Sequence, residues 1–404
     1  MLMKIKTRYY LHMLAELMSV PLKIIPVKNN RIIFISHRGG SQYSDSPMYI
    51  SEYLNKTGKY EIIWIVNDTE AFRYLRDRNI KTVKYRSLKE IYYSNSSKVL
   101  VTNMFGFPPY VQAKKNQLRI NTMHGGGAYK ALLSSKSNAV DVGKYDYLFA
   151  SHNINKCNLC LSGCRATSEQ VYRKELGYRG KILERGLPRN DAILSPDPEL
   201  IRRVKEEFRI RDKAVLVMPT WKYDNNTRNI DIDYRKLVTE LHDQYGGDWQ
   251  VLLRLHHLSK IDISDYLEKY KDIVQDATYY PNAQDLLSSA DLLITDYSSV
   301  IWDFALKNGP ILIYATDMED YIKERGFVIP PDRWGLSVAR NEDELSDNIR
   351  SHTLKELKEN SQKHLQIYGS FEKGDATRTV CRYIEIFTDR KKTRRRRYEK
   401  CSDI

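Results

Sequence analysis

The chain has 404 residues, 42% of them hydrophobic, and a formal charge of +14. A chain of that size can bury a sizeable core and reads as two domains rather than one. The charge sits at the ends, with +4 over residues 1–30 and +7 over RKKTRRRR (390–397), which leaves +3 for everything between. The body of the chain is therefore not strongly basic, and no nucleic-acid partner is expected.

Five Cys, no signal peptide and no apolar run long enough to span a bilayer predict a reducing compartment. The opening MLMKIKTRYYLHMLAELMSVPLKIIP mixes Met, Leu, Ile and Tyr with Lys and Arg as far as Pro26. Residues 1–30 are expected to form an amphipathic segment, either lying in a membrane interface or packed as an N-terminal helix. The basic tail 390–404 reads as a solvated run or a contact for anionic lipid. Together the two ends favour an anionic membrane surface as partner.

Between the ends, strands are predicted in chain order at RIIFIS (31–36), YEIIWIV (60–66), KTVKY (81–85), KVLVTN (98–103), LRINTMH (118–124), YDYLFAS (145–151) and KILERG (181–186). Helical stretches such as SPMYISEYLNKTG separate several of them. LPRNDAILSPDPEL reads as a linker, and the pattern restarts with AVLVMPTW (214–221), WQVLLRLHH (249–257), IVQDA (273–277), LLITDYS (292–298), GPILIYA (309–315) and GLSVAR (335–340). Such alternation predicts an α/β chain of two doubly wound, Rossmann-like domains, 31–190 and 191–389, facing a central crevice.

The polar clusters fall in one kind of place. SHRGG (36–40), HGGG (124–127), PTWK (219–222), RLHH (254–257), TDYSS (295–299) and ATD (315–317) each follow or close a strand. In open α/β sheets ligands bind outside the carboxyl ends of strands, so these segments are expected to line one crevice. Ser298 and Ser299, at a strand-to-helix junction, would present hydroxyls and backbone N–H groups to an anion such as phosphate, or would cap the helix. Asp296 would repel a phosphate unless turned away or hydrogen-bonded. Asp303 is either an acceptor for a sugar hydroxyl or an ordinary helix residue.

TDYSSVIWDFAL (295–306), GLPRND (186–191), PTWK, RLH, HG before a helix, and KGDATRTV (373–380) come in an order that resembles the CDP-glycerol glycerophosphotransferases of teichoic acid synthesis, with their primases, polymerases and ribitol-phosphate relatives. The resemblance spans roughly residues 30–385. It implies a GT-B-like pair of domains, with CDP-glycerol or CDP-ribitol bound in the C-terminal one. It further implies transfer of polyol phosphate, with release of CMP, to a hydroxyl of a lipid-linked polyprenyl acceptor by a peripheral protein at the cytoplasmic face of the membrane. No cofactor or metal is implied. The attacked phosphorus calls for a base at the acceptor and for positive or N–H-rich contacts on the diphosphate. By resemblance, His124 is the base, with Gly125 and Gly126 (and Gly127) letting the backbone approach the phosphate. Arg254 and His256 neutralise the diphosphate, joined by Lys222, Thr220, Thr295, Ser298 and Ser299, and by Arg189 near the hinge.

The chain departs from the family pattern where many relatives read HGTPLK and it reads HGGGAYK, and where it has His257 in place of Pro. HGGG also marks lipase-like oxyanion holes, but no G-x-S-x-G elbow accompanies it. Cys157, Cys160 and Cys164, with His152 nearby, offer metal-ligand spacing, yet the segment is one the family would use as a helix, with buried apolar thiols. The alternatives in other classes are a nucleotide-sugar glycosyltransferase and a non-enzymatic membrane-surface or nucleic-acid-binding protein on a degenerate fold. Glycerol and ribitol donors, primase and polymerase, all stay open.

Overall fold

A computed structural model describes residues 2–36, 40, 43–104, 106–131, 140–220, 230–255, 262–324 and 326–389. The first sheet has seven parallel strands, β1 (Lys28–Ile35), β2 (Glu61–Val66), β3 (Lys81–Lys84), β4 (Ser97–Thr102), β5 (Leu118–Asn121), β6 (Leu159–Ser162) and β7 (Lys181–Glu184), in the order β3-β2-β1-β4-β5-β6-β7. The second has six, β8 (Lys213–Val217), β9 (Trp249–Leu253), β10 (Val274–Asp276), β11 (Leu292–Thr295), β12 (Ile311–Tyr314) and β13 (Ser337–Ala339), in the order β10-β9-β8-β11-β12-β13. The central strands are unbroken apolar runs such as Ile62–Val66 and Leu292–Ile294, because helices cover both faces and no position faces water. Strand order reverses between β1 and β4 and again between β8 and β11, and a ligand crevice opens at such a switch.

The helices of the first unit are α1 (Leu2–Met18), α2 (Asp45–Asn55), α3 (Thr69–Arg76), α4 (Leu88–Ser96) and α5 (Val140–Ile154), followed at the crossing by α6 (Pro188–Leu194). The second unit carries α7 (Pro198–Glu207), α8 (Tyr234–Tyr245), α9 (Ser264–Lys269), α10 (Ala283–Ser289), α11 (Val300–Leu306), α12 (Met318–Glu324), α13 (Glu342–Ser351) and α14 (Leu354–Tyr368), and α15 (Ala376–Thr388) closes the described chain. One apolar cluster runs from Ile33, Ile63 and Leu100 of the first sheet to Leu216, Leu293 and Ile313 of the second.

Every predicted strand but one has its counterpart. YDYLFAS (145–151) is not a strand but the middle of α5, and the slot beside β5 is taken by LCLS (159–162), inside the cysteine segment expected to be helical. A seven-residue apolar run does not distinguish the two states by itself. The periodicity that does so lies across the helix: Tyr145, Phe149 and His152 share a face and meet Tyr9, His12 and Glu16 of α1. The division at 191–389 also shifts. α15 returns to the first domain, where Val380, Cys381 and Ile384 join Ile32 and Phe34, and Thr388 Oγ1 lies 3.0 Å from the Tyr60 hydroxyl.

The chain thus crosses between the domains twice, and the crossings are laced together. Arg185 grips Asp375 through two bonds of 2.8 and 2.7 Å, and Asp191 accepts from the N–H groups of Ala376 and Thr377, satisfying the free first turn of α15.

α1 packs on α5 through Glu16, whose carboxylate accepts from Lys156 Nζ at 2.6 Å and His152 Nε2 at 2.7 Å. Its other face leaves Tyr10, Leu11, Leu14, Leu17 and Met18 exposed, and Ile24 just beyond is 85% exposed. Among the described residues, no helix is long and apolar enough to cross a membrane.

Candidate functional site

The geometry begins at the end of β5. Asn121 accepts from Met123 N–H at 2.8 Å and donates to the Met104 carbonyl, and Met123 adopts φ +52°. That turn delivers His124 to the surface, where its Nδ1 lies 3.2 Å from the Asn103 carbonyl. A carbonyl only accepts, so the bond puts the proton on Nδ1 and the basic lone pair on Nε2.

The glycines that follow are dictated by what lies against them. A Cβ on Gly125 would stand 3.1 Å from Ser299 Cβ, one on Gly126 2.0 Å from Trp302 Cδ1, and one on Gly127 2.3 Å from the Tyr129 ring. The His124 turn of the first domain is thus pressed onto the start of α11 in the second. Cys164 Sγ and Thr167 Oγ1 hold the Gly126 carbonyl from behind, at 3.4 and 3.1 Å.

Ser298 and Ser299 are half-buried at that helix start, and Ser299, the N-cap residue, makes no side-chain capping bond. The capping alternative is therefore not what Ser299 does here, and its hydroxyl lies beside the turn. Asp296 is fully buried and accepts from Thr220 N–H at 2.9 Å and Tyr297 N–H at 2.5 Å, so its charge is directed into the protein. Thr295, also buried, donates to the Met218 carbonyl at 2.6 Å and fastens β11 to β8.

Arg189 and Asp303 take places other than those expected of donor ligands. Arg189 is 8% exposed; it donates to the His124 carbonyl at 3.0 Å, forms an ion pair with Asp303 and lies 3.5 Å from Asp45. Asp303 is fully buried, with Gln284 Nε2 at 3.4 Å, and burial raises its acid group to about 6 despite the guanidinium. The pair fixes the backbone of the His124 turn to α11 and α2.

Arg254 leaves β9 with Nη1 on the carbonyls of Ala277 (3.1 Å) and Tyr280 (2.6 Å); burial lowers its value to about 10, which keeps it cationic at neutral pH. Lys222, His256 and His257, and the tail from residue 390, lie outside the described residues.

Three residues join the site that sequence reasoning passed over. Lys130 Nζ reaches Thr220 Oγ1 across the crevice at 3.4 Å, and its neighbours bond to the other domain through Ala131 N–H to Gly326 O and Val328 N–H to Tyr129 O. A cation six residues after His124 was its signal. Asp45 and Glu372 left none, being single carboxylates far apart in sequence. Glu372 accepts from Asn190 Nδ2 (2.7 Å), Leu187 N–H (3.0 Å) and Trp302 Nε1 (3.3 Å), and burial pushes its acid group up to about 8. The three cysteines are buried in one apolar cluster, with burial raising each thiol.

The result is an exposed imidazole with its Nδ1 on a carbonyl, set beside a helix start with two hydroxyls. Such a site can take a proton from a hydroxyl while holding an anion next to it.

A family model described as CDP-Glycerol:Poly(glycerophosphate) glycerophosphotransferase matches residues 17–386. The teichoic acid poly(glycerol phosphate) polymerase of Bacillus spizizenii is 26% identical over 404 residues, covering 92% of this chain and 96% of that protein. The teichoic acid glycerol-phosphate transferase of Staphylococcus aureus is 27% identical over 375 residues, covering 88% and 93%. A solved structure of the wall teichoic acid polymerase TagF, soaked with CDPG, superposes with a TM-score of 0.76 at 24% identity, over 96% of this chain and 98% of that one. The fold is GT-B-like.

Proposed function

Because the chain belongs to the CDP-Glycerol:Poly(glycerophosphate) glycerophosphotransferase family, we propose that it transfers glycerol phosphate, or ribitol phosphate, from a CDP-polyol to a hydroxyl of a teichoic acid acceptor. It is an enzyme of teichoic acid synthesis. The acceptor oxygen attacks the phosphorus bearing the polyol, the bond to the bridging oxygen breaks, and CMP leaves with that electron pair. His124 Nε2 takes the hydroxyl proton. The diphosphate lies at the start of α11 against Ser298, Ser299 and the backbone N–H groups there, with Arg254, Lys130 and Thr220 around it and Lys222 and His256 completing the set from the sequence motifs. Arg189 and Asp303 position the base rather than touch the donor. The observation that carries this reading is the approach of Gly125 to Ser299, which puts the base of one domain beside the anion cradle of the other.

The acceptor is lipid-linked and the protein works peripherally at the cytoplasmic face of the membrane. The exposed Leu11, Leu14, Leu17, Met18 and Ile24, together with the basic composition of 390–397, support this, since an apolar face and a run of cations each suit an anionic lipid surface.

Incubating the protein with CDP-glycerol or CDP-ribitol, with and without a lipid-linked acceptor, and following CMP tests the activity. Acceptor-dependent CMP release from one of the two is expected. Release from neither, or sugar transfer from a nucleotide sugar instead, would overturn it.

A further inference from the structure

We propose that His12, Glu16 and His152 bind a transition-metal ion, Zn²⁺ by the chemistry of the donors, and that this ion staples α1 to α5. Among the described residues, this is the one group of three or more His, Cys, Asp or Glu side chains whose donor atoms all lie within 4.8 Å of one another. His12 and Glu16 are four residues apart on α1 and so share a face, and His152 meets them from the last turn of α5. The rings of His12 and His152 stand 6.2 Å apart at 88°.

A second observation points to a ligand. His12 Nε2 is buried and has no hydrogen-bond partner, and a nitrogen of the same ring lies within 4.8 Å of a donor atom of Glu16 and of one of His152. An imidazole nitrogen left so is costly in a native structure and calls for an occupant. Two imidazoles and one carboxylate form a familiar tetrahedral zinc set that leaves the fourth position to water.

The electrostatics narrow the choice of ion. Lys156 Nζ already lies 2.6 Å from Glu16 Oε2, and Arg119, with two buried N–H groups unpartnered, adds a further positive charge nearby. A hard ion such as Ca²⁺ or Mg²⁺, needing several carboxylates, would not hold there, whereas Zn²⁺ draws its affinity from imidazole nitrogen. Lys156 Nζ sits on Glu16 Oε2, the same oxygen that His152 Nε2 meets, and orients the carboxylate. On binding, the present contact of 2.7 Å between His152 Nε2 and Glu16 opens to admit the ion, and the ring proton moves to Nδ1. Bonds of about 2.0–2.2 Å to the metal require only small side-chain shifts from the present spacing.

The consequence is mechanical: the ion would fix the helix bearing the exposed apolar row to the domain that carries His124. The site stands independently of the phosphotransfer reading. The test strips the untagged full-length protein with a chelator and titrates it with Zn²⁺ alone, scoring uptake in wild type, His12→Gln and His152→Gln. Wild type should take up one ion more than either variant, and zinc should slow proteolysis within residues 1–26 of wild type only. Co²⁺ added to wild type should produce the visible absorption of a tetrahedral site, a readout that does not depend on the variants folding. Equal zinc uptake by all three proteins, or Co²⁺ spectra without tetrahedral bands, would overturn the proposal.

Discussion

Arg189, a residue drawn from a family motif, has its guanidinium held by groups of the protein itself. Its guanidinium satisfies the His124 carbonyl and two carboxylates, Asp45 and Asp303, that are 4% and 0% exposed. Removing one partner of such a cluster leaves uncompensated buried charge, at a cost of about 3–5 kcal/mol. Arg189→Ala is therefore expected to lose stability of that order in denaturant titration, where a residue that merely touched the donor would lower affinity and leave the denaturation midpoint alone. The sequence made Thr295 visible at a strand end, Asp303 on the helix that follows it and Arg189 near the domain hinge, but not which way they point. That depends on partners such as Asp45 and Met218, which the chain brings in from positions 144 and 77 residues away.

At the level of elements, the strands were legible because buried parallel strands are continuous apolar runs. The error at 145–151 arose where helix and strand had equally short apolar stretches and only the partner, α1, decided between them. α1 itself supports the membrane reading through its unpacked face, and the prediction follows from that face. Deleting residues 1–26 and 390–404 should leave a folded protein that binds CDP-polyol but floats less with anionic liposomes. Undiminished flotation would place the membrane contact elsewhere.

The double crossing is where pH should act on stability. Glu372 joins Leu187, Asn190 and Trp302, and burial raises its acid group from 4.5 to about 8. A carboxyl whose folded value lies above its unfolded one binds a proton more tightly when folded, so stability falls as pH rises between about 4.5 and 8. Glu372→Gln, which cannot ionise, should show a smaller drop in melting temperature than wild type from pH 6 to pH 9, measured by calorimetry.

On the scale of the whole molecule, two sheets each reverse strand order, and the carboxyl ends of both meet at the contact of Gly125 with Ser299. The two-domain architecture and the positions of His124, Ser298 and Ser299 were readable from alternation and strand-end chemistry. Lys130 left only the trace of a cation six residues after His124, and Glu372 left none, because its partners Leu187, Asn190 and Trp302 are brought to it by the fold. The central claim is that the base comes from one domain and the donor cradle from the other, so the two functions should separate. The most direct measurement compares CDP-polyol binding with single-turnover transfer in wild type and His124→Ala. The account predicts unchanged donor affinity and melting temperature with transfer slowed by roughly 10²–10⁴-fold, the worth of a positioned base. Transfer at near the wild-type rate, or a loss of donor binding that matches the loss of transfer, would contradict it.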